Sequence, residues 1–355
     1  MELNGNNIAI RLRAEETMPN PPQFIIAGKL KQDYFITADN LPVLNILGGN
    51  LPYAAVGFKL WNKDATVGLM ARVGEDYPQE WLESLWKENF DTQGITILPE
   101  AVDLRSFYAY IDKTTRITGE PIPFFSKLGI PFPKALLGYH DASDRIDSRL
   151  EFYKTSLRKD DIPDDYKNAT AVHLCPIDYM THSLLPAVFR QNGFTVVTLD
   201  PSPSYLNPSF WNEVPPLITG LTAFLPAEED LRNLFKGQSD DLWEMAEAIA
   251  EYDCEVIVIK RGIRGQLIFD NGAKKRWEIP AYDSRLVNPT GVGDAFCGGF
   301  LAGYKKTFDP VEAALYGNIA ASIISEGVGP FFALDVLPGL QEARLENLRL
   351  SIRSL

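Results

Sequence analysis

The residues best suited to chemistry lie in a glycine-rich turn near the carboxyl end of the chain, where Gly291, Val292 and Gly293 precede Asp294. After Asp294 the residues become small and apolar, which predicts that the turn leads into a buried helix. Glycines let main-chain N–H groups approach a ligand closely, and the first turn of a helix adds unpaired donors and the positive end of the helix dipole. This turn is therefore predicted to bind a phosphate group.

Asp294 has an unusual position for a carboxylate, because it would repel a phosphate at the turn unless it takes part in a reaction. Accepting the proton of a hydroxyl nucleophile is the role that suits it. The alternative is an ordinary first-turn Asp that complements the helix dipole. Two other phosphate-binding motifs are excluded by spacing: no Walker loop occurs, and Phe296 occupies the third glycine position of a dinucleotide fingerprint.

The stretch from residue 288 to residue 301 resembles the C-terminal signature of the PfkB, or ribokinase-like, carbohydrate kinases, D-T-x-G-A-G-D-x-F-x-G-G-F. The resemblance implies a general base at Asp294 and an anion hole formed by the amides of the three preceding residues. The chain has Asn288 for the first Asp, Pro289 for the following Thr, and Val292 for the small residue between the glycines. The branched side chain of Val292 is expected to narrow the anion hole.

The resemblance also implies an acceptor site near the first strand. Asp33 has the offset from that strand's glycine at which the family holds sugar hydroxyls, although a solvated loop residue is the alternative. Gly48 and Gly49 resemble the start of the N-terminal signature G-G-x-x-x-N-x-A, or else a tight turn needed only for packing. Tyr53 replaces the asparagine that normally contacts the sugar. Either the acceptor differs from ribose and fructose, or Asn50 supplies the lost amide.

Two further segments are expected to bind the nucleotide. The turn that contains Gly262, Arg264 and Gly265 matches the family's G-x-x-G loop under the nucleotide phosphates, although glycine turns after parallel strands are common. Small residues in the helix after the central motif leave room for adenine in the family. Asn318 and Ala321 are the candidate wall residues of that adenine site.

Magnesium is expected near a third segment, which resembles the family's N-x-x-E element with Ala227 in place of Asn and Asp230 in place of Glu. Magnesium prefers carboxylate oxygen, so Asp230 and Glu228 are the candidate ligands. The same acids are also ordinary at the start of a helix. The resemblance therefore implies ATP and Mg²⁺ as cofactors, with a monovalent cation as a further candidate.

Strands and helices alternate along most of the chain, with buried strands such as residues 24–28 and 256–260. This pattern predicts an α/β fold with a three-layer, doubly wound and mainly parallel sheet. Ligands then bind at the carboxyl ends of the strands. By resemblance, segments near residues 32–47 and 104–118 form a small β lid over the acceptor.

We expect one kinase domain, residues 23–355, after an N-terminal tail at residues 1–22. The tail lacks the apolar core of a signal peptide or a membrane span. Residues 119–147 are dense in Pro, Gly and aromatic residues and fit no helix or strand period, which predicts an irregular insertion near the lid. Subunit contact is the hypothesis for this insertion, and it suggests a homodimer.

Composition limits the partners. A formal charge of −13 over 355 residues argues against nucleic acid and against anionic membrane surfaces. Cys175, Cys254 and Cys297 lie in apolar surroundings, and their odd number indicates reduced core residues of a cytoplasmic protein. The histidines lack metal-ligand spacing, and His173 is expected to pack within a strand.

These observations predict ATP-dependent phosphoryl transfer to an alcohol of a sugar or sugar-like molecule. One alternative is a nucleoside kinase, in which aromatic side chains stack on a purine; the candidates are Tyr34, Phe35, Tyr53 and Phe107. Another alternative is a ligand-binding or regulatory protein that kept the fold and lost efficient catalysis. The departures from the two signatures would suit this last reading.

Overall fold

The computed structural model describes residues 10–11, 20–141 and 145–354, so most of the predicted tail at residues 1–22 lies outside the described residues. The strands are β1 Ile10–Arg11, β2 Phe24–Ala27, β3 Lys31–Ile36, β4 Pro42–Gly48, β5 Val67–Gly74, β6 Phe90–Leu98, β7 Arg105–Tyr110, β8 Arg116–Thr118, β9 Ala171–Leu174, β10 Val196–Leu199, β11 Ala223–Phe224, β12 Val256–Lys260, β13 Gln266–Asp270, β14 Lys275–Ile279 and β15 Arg353–Ser354. The helices are α1 Asn50–Lys59, α2 Gln79–Lys87, α3 Ile122–Leu128, α4 Tyr179–Gln191, α5 Val214–Ile218, α6 Glu228–Leu234, α7 Leu242–Ala250, α8 Val292–Thr307, α9 Pro310–Ile324 and α10 Leu340–Arg349.

The larger sheet has the strand order β1-β6-β5-β2-β9-β10-β11-β12-β13-β14-β15. Its strands from β6 to β12 pair in parallel, whereas β1 and the three strands after β12 pair antiparallel. The central strands β2, β9 and β10 are mainly apolar and almost completely buried, as expected of strands covered on both faces. His173 is one of these buried strand residues.

Two hydrophobic clusters cover the two faces of this sheet. One cluster contains residues of α1, α2, α8, α9 and α10, and the other contains residues of α4 to α7. The three cysteines are buried and unbridged. The predicted doubly wound α/β fold is therefore confirmed. None of the described helices is long and apolar enough to cross a lipid bilayer.

A second, four-stranded sheet has the order β4-β3-β7-β8 and is built from both segments that the sequence places in a lid. The central pair β3 and β7 is parallel, and the outer pairs are antiparallel. Hydroxyl groups of β7 contact the turn before α8, as described below. This sheet therefore lies against the candidate phosphate-binding turn.

The segment at residues 119–147 differs from the sequence-based expectation, because it contains helix α3. Prolines occupy the first turn of this helix, where no N–H donor is needed. Gly129 then ends the helix in the left-handed conformation at φ 65°. The dense Pro and Gly content delimits a short helix here rather than preventing one.

Helices α1 and α8 approach each other so closely that glycine is required at the contact. A Cβ atom on Gly298 would lie 1.8 Å from the carbonyl oxygen of Ala54, and one on Gly57 would lie 2.2 Å from that of Ala295. Neither position tolerates a side chain without moving the helices apart. The turn before α1 and the turn before α8 are thereby fixed in one arrangement.

Candidate active site

The turn before α8 leaves donors available for an anion. Gly291 caps the helix in the left-handed conformation at φ 76°, and the first helical hydrogen bond runs from the Ala295 N–H to the Gly291 carbonyl at 2.8 Å. Among the described residues, the N–H groups of Gly291 and Gly293 have no acceptor. The N–H of Val292 lies 3.4 Å from the Pro289 carbonyl, at the long limit of a hydrogen bond.

Neighbouring side chains hold this turn in shape. The Oδ1 atom of Asn288 accepts hydrogen bonds from the Thr290 N–H at 3.1 Å and from its hydroxyl at 2.9 Å. The side chain of Val292 packs against the main hydrophobic cluster. Asn288 therefore stabilises the shape of the turn. Val292 was expected to narrow the anion hole, and its position gives no sign that it does so.

Asp294 is half-buried in the first turn of α8. Burial raises its pKa to about 7, Asp200 adds to the rise, and Lys260 opposes it. A carboxylate with a pKa near neutrality is a stronger base than an exposed Asp and still ionises at physiological pH. These properties suit an acceptor for a hydroxyl proton.

A buried cation that the sequence analysis missed lies beside this turn. Lys260, at the end of β12, forms an ion pair with Asp200, which follows β10, and its Nζ lies 3.5 Å from the Cys297 sulfur. A Cβ atom on Gly293 would lie 3.8 Å from the same Nζ. Burial alone would lower the pKa of Lys260, but Asp200 raises it above its ordinary value, so the ammonium stays charged. The sequence did contain a signal for Lys260 and Asp200, because both are charged residues at the ends of apolar parallel strands, where ligands bind in this fold class.

Asp33 lies on β3 with only 4% of its surface exposed, so it is not a solvated loop residue. Its carboxylate accepts hydrogen bonds from the Ser106 hydroxyl at 2.6 Å and the Tyr108 hydroxyl at 3.1 Å. The Gly49 N–H also donates to it, and a Cβ on Gly48 would lie 2.0 Å from its carboxyl carbon. Burial raises the pKa of Asp33, and these donors partly offset the rise.

Hydroxyl groups of the lid reach from Asp33 to the turn before α8. The Tyr110 hydroxyl lies 2.9 Å from the Thr290 hydroxyl, and the Tyr108 hydroxyl donates to it at 3.4 Å. The sequence analysis did not single out these residues. A signal was present, because Ser106, Tyr108 and Tyr110 alternate along β7 and so share one face.

Tyr53 points from α1 into the same region. A Cβ on Gly291 would lie 2.1 Å from its ring, so the two residues are in tight contact. Its hydroxyl is buried and has no hydrogen-bond partner among the described residues. Burial, followed by Asp33, raises the pKa of Tyr53 well above its usual value, and the hydroxyl therefore stays protonated. An acceptor molecule could supply the missing partner.

Asn50 has its polar atoms engaged by the main chain. Its Oδ1 accepts from the Lys29 N–H at 2.7 Å, and its Nδ2 donates to the Pro176 carbonyl at 2.6 Å. These bonds join the loops that follow β2 and β9. The geometry therefore does not favour Asn50 as a replacement for the family's asparagine.

The predicted phosphate loop is tied to its own surroundings. Gly265 is required by packing, because a Cβ there would lie 2.0 Å from the Ile279 carbonyl oxygen. Arg264 donates to Glu228 at 2.6 Å, and Arg232 donates to the same carboxylate at 2.7 Å. Gly262 lies at φ 57° in an open position. Main-chain groups of this turn, rather than its arginine, are the better candidates for nucleotide contact.

Asn318 and Ala321 lie on α9, and both are largely buried. The Nδ2 of Asn318 donates to Gln266 and to the Pro280 carbonyl, both at 2.8 Å, and its Oδ1 accepts from the Tyr282 N–H at 2.8 Å. Asn318 thus positions the loop after β14. Its contribution to an adenine site would be indirect.

Asp230 and Glu228 differ sharply as candidate metal ligands. Glu228 is bound by the two arginines described above, whereas Asp230 has no hydrogen bond or ion pair with the described residues. Burial and then Asp200 raise the pKa of Asp230 to about 7. The described residues contain no cluster of three or more potential metal ligands. A magnesium ion here would need ligands from the nucleotide, as is usual for this ion.

Comparison with known proteins identifies the family. Residues 154–335 match the pfkB family carbohydrate kinase. A cytidine kinase from Thermococcus kodakarensis is 27% identical over 285 residues, which cover 79% of this chain and 88% of that protein. The chain belongs to the pfkB carbohydrate kinase family. It is a phosphotransferase with an alcohol group as acceptor.

Solved structures share the fold. A structure assigned to ribokinase II from E. coli, in complex with ATP and Mg²⁺, superposes with a TM-score of 0.66 at 16% identity and covers 92% of this chain and 99% of its own. A Burkholderia thailandensis nucleoside kinase in complex with inosine gives 0.64 at 16% identity, covering 92% of this chain and 98% of its own. The ribokinase-like fold predicted from the sequence is confirmed.

Proposed function

We propose that the protein transfers the γ-phosphoryl group of ATP to an alcohol of a sugar or sugar-like molecule, with Asp294 as general base. The observation that carries this proposal is the setting of Asp294: a half-buried carboxylate with a raised pKa, next to unengaged main-chain donors and the Lys260 ammonium. This combination joins a proton acceptor to an anion-binding turn.

In the proposed mechanism, Asp294 accepts the proton as the acceptor oxygen forms its bond to the γ-phosphorus. The bond between that phosphorus and the bridging oxygen breaks, and ADP leaves with the electron pair. The amides of Gly291, Val292 and Gly293 stabilise the negative charge on the moving phosphoryl group. Asp33, Gly48 and Gly49 border the acceptor, and Tyr53 limits its approach to the turn.

The residues present fit a magnesium–nucleotide complex. Asp230 has an unengaged carboxylate close enough to Asp200 and Lys260 to be influenced by both, and it would hold the ion either directly or through water. The metal would neutralise charge on the phosphates. A structural neighbour from E. coli is in complex with ATP and Mg²⁺, which supports these two cofactors. Dependence on a monovalent cation and a homodimer remain predictions.

A nucleoside is the second candidate acceptor, because a relative that matches 79% of the chain is a cytidine kinase. The geometry gives it less support. Phe35 stacks on Tyr108 at 5.1 Å, and Phe107 packs against Phe125 at 5.8 Å between ring centres. All four candidate stacking residues, Tyr34, Phe35, Tyr53 and Phe107, are buried, and of these Tyr53 lies against Gly291 of the turn before α8.

The decisive experiment is Asp294→Asn, assayed by ADP release over a panel of sugars and nucleosides. We expect kcat to fall by roughly two or more orders of magnitude for a general base. ATP affinity, measured by calorimetry, should change little. The melting temperature above pH 7 should not fall, because the substitution removes a charge that burial disfavours.

A variant with unchanged turnover would end the assignment of Asp294. Binding of ATP by the wild-type protein without turnover of any acceptor would instead favour the impaired, regulatory alternative. Turnover restricted to nucleosides would favour the second candidate.

A further inference from the structure

A small cavity beside the acceptor site is lined by three cationic residues. Its volume is about 120 Å³, well above the roughly 10–15 Å³ that one water molecule requires. Lys29, Lys31 and Arg72 line it, together with Asp103 and uncharged residues of the same loops. This is an unusual concentration of positive charge in a chain whose net charge is −13.

Some donor groups of the cationic residues that line the cavity have no hydrogen-bond acceptor among the described residues. Arg72 forms an ion pair with Asp161 at 3.8 Å and donates from Nη1 to the Ser156 carbonyl at 3.3 Å, but its Nε is buried without a hydrogen-bond partner. The Nζ of Lys31 makes no hydrogen bond or ion pair with any described residue. Lys29 donates to the neutral carbonyl of Ile177.

The acids beside these cations also accept hydrogen bonds from other donors. Asp161, which pairs with Arg72, accepts from Thr96 and from the Arg158 N–H. Asp33, the acid that most raises the pKa of Lys31, accepts from Ser106 and Tyr108. Asp103, which lines the cavity, accepts hydrogen bonds from Arg105 at 2.7 and 2.8 Å. Asp178 caps α4 through Thr181. Asp147, the other acid near Lys29, accepts from Tyr179 and Ser204.

Burial lowers the pKa of both lysines, to about 8 for Lys29. Lys29 therefore still carries a charge at pH 7. Burial disfavours the charged form of both lysines, and nearby acids offset this effect only in part. A buried cation in this situation is stabilised by an anion that enters the cavity.

The cavity adjoins the proposed acceptor site through β3. Lys31 and Asp33 are two residues apart on this strand, so their side chains leave the same face. The turn that carries Gly49 packs directly on the loop between β2 and β3, since a Cβ there would lie 2.2 Å from the Lys29 carbonyl oxygen. Asp33 in turn influences the pKa of Asp294. A molecule held by Asp33 thus has the cavity on one side and the general base on the other.

We propose that this cavity binds an anionic group of the acceptor, so that the preferred acceptors are polyhydroxy compounds with a carboxylate or a phosphate monoester. The inference rests on the proposed function, because it names the acceptor class for the same site. Lys31 and Arg72 bind the anion, Asp33 binds a hydroxyl, and a further hydroxyl reaches Asp294. Charge-assisted hydrogen bonds of this kind carry most of the discrimination against neutral analogues.

The test uses matched acceptors: pentoses and hexoses, their aldonates and their terminal phosphate monoesters, with cytidine as the nucleoside comparator. Steady-state kinetics compares the wild-type protein with Lys31→Met, Lys31→Arg and the exposed-residue control Lys63→Met. In the wild-type protein, one anionic class should exceed the neutral sugars at least about tenfold in kcat/KM. Lys31→Met should lower this ratio by about 10- to 100-fold, while Lys31→Arg and Lys63→Met should keep it within about threefold.

Calorimetric titration of the same acceptors in the presence of ADP separates the two proposals. If no compound is phosphorylated, the proposed function fails, and binding alone decides the inference. Binding of an aldonate or a phosphate monoester that Lys31→Met weakens supports the cavity as an anion site. Preference for neutral acceptors with an unchanged ratio in Lys31→Met, or the absence of any anion binding, would overturn it. The aldonate and phosphate arms distinguish the two sources of negative charge.

Discussion

The proposed acceptor half and the proposed nucleotide half of the candidate active site differ in what their polar groups already contact. On the acceptor side, Tyr53, Lys31 and Arg72 have buried or half-buried polar atoms without hydrogen-bond partners among the described residues. On the nucleotide side, Arg264 is bound to Glu228, and Asn318 has its amide bound to neighbouring groups. Side chains are thus available for selecting an acceptor, whereas a nucleotide would depend more on main-chain donors and space.

This contrast shows how one scaffold can keep a common phosphate donor and vary its acceptor. In the nucleotide half, Arg264 and Asn318 are satisfied within the protein and Asp230 is left for a metal ion, so the exchange of an exposed side chain such as Arg264 should matter little there. The acceptor half holds unsatisfied groups whose partner is expected to be the ligand itself. Substitutions where the two halves meet, and within each half, test this contrast.

The largest effect is expected where the two halves meet, at Lys260. Lys260→Met should lower kcat about 100-fold, because it removes the cation beside the phosphate-binding turn. The single variant also leaves Asp200 buried without its partner, which costs about 3–5 kcal/mol of stability. The double variant Lys260→Met with Asp200→Asn should recover much of the thermal stability while kcat stays low. Recovery of both together would make Lys260 a structural residue.

A smaller and gradual change in kcat/KM is expected when the pH is varied. The pKa of Asp294 is about 7, and only its ionised form accepts a proton. At saturating Mg²⁺, which favours the ionised form of Asp230, kcat/KM should fall by about tenfold per pH unit below pH 7 and level off above it. The residual activity of Asp294→Asn should lack this dependence. A wild-type profile that is flat between pH 5.5 and 8 would contradict the role of Asp294 as base.

Tyr53→Phe should affect only the acceptor half. Loss of the unpaired hydroxyl should raise the KM for the acceptor about 2- to 10-fold, with little change in the KM for ATP. The melting temperature should stay the same or rise, because a buried unsatisfied group is removed. Tyr166→Phe is the matched control, since its buried hydroxyl is hydrogen-bonded to Asp91 and Gly94 far along the chain from the signatures. This control should lower stability and leave KM unchanged.

The smallest effect is expected for Arg264→Ala in the nucleotide half. The side chain is 62% exposed and is occupied by Glu228, which keeps Arg232 as a second partner. The KM for ATP should therefore change less than about threefold, because an exposed ion pair contributes little. A rise of tenfold or more in that KM would show that Arg264 leaves Glu228 to bind the nucleotide, and would remove the contrast between the halves.

The sequence alone predicts the parts of the site that depend on local pattern. Alternating apolar strands and helices indicated the doubly wound sheet, and the spacing of Gly291, Gly293 and Asp294 indicated the turn before α8. These features involve residues that are close in the chain. Helix α3 was missed because prolines compatible with its first turn were interpreted as irregular structure.

The remaining features depend on contacts between distant segments. Lys260 and Asp200 are 60 residues apart, and only the parallel order of β10, β11 and β12 brings their strand ends together. The hydrogen bonds of Asn318 to Gln266 in β13 and to the loop after β14 also require the folded topology. A single sequence offers no local pattern for such pairings.

The glycine contact between α1 and α8 has a consequence for how substrates enter and products leave. Helices that touch main chain to main chain cannot slide or separate by small side-chain adjustments, so the walls on either side of the reacting groups form one rigid block. If the smaller sheet acts as the proposed lid, access depends on its movement, and its contacts with this block include that between the Tyr110 and Thr290 hydroxyls. Such hydroxyl hydrogen bonds can break and re-form while the two helices stay fixed. Opening of the lid would then limit the turnover rate if the chemical step is fast.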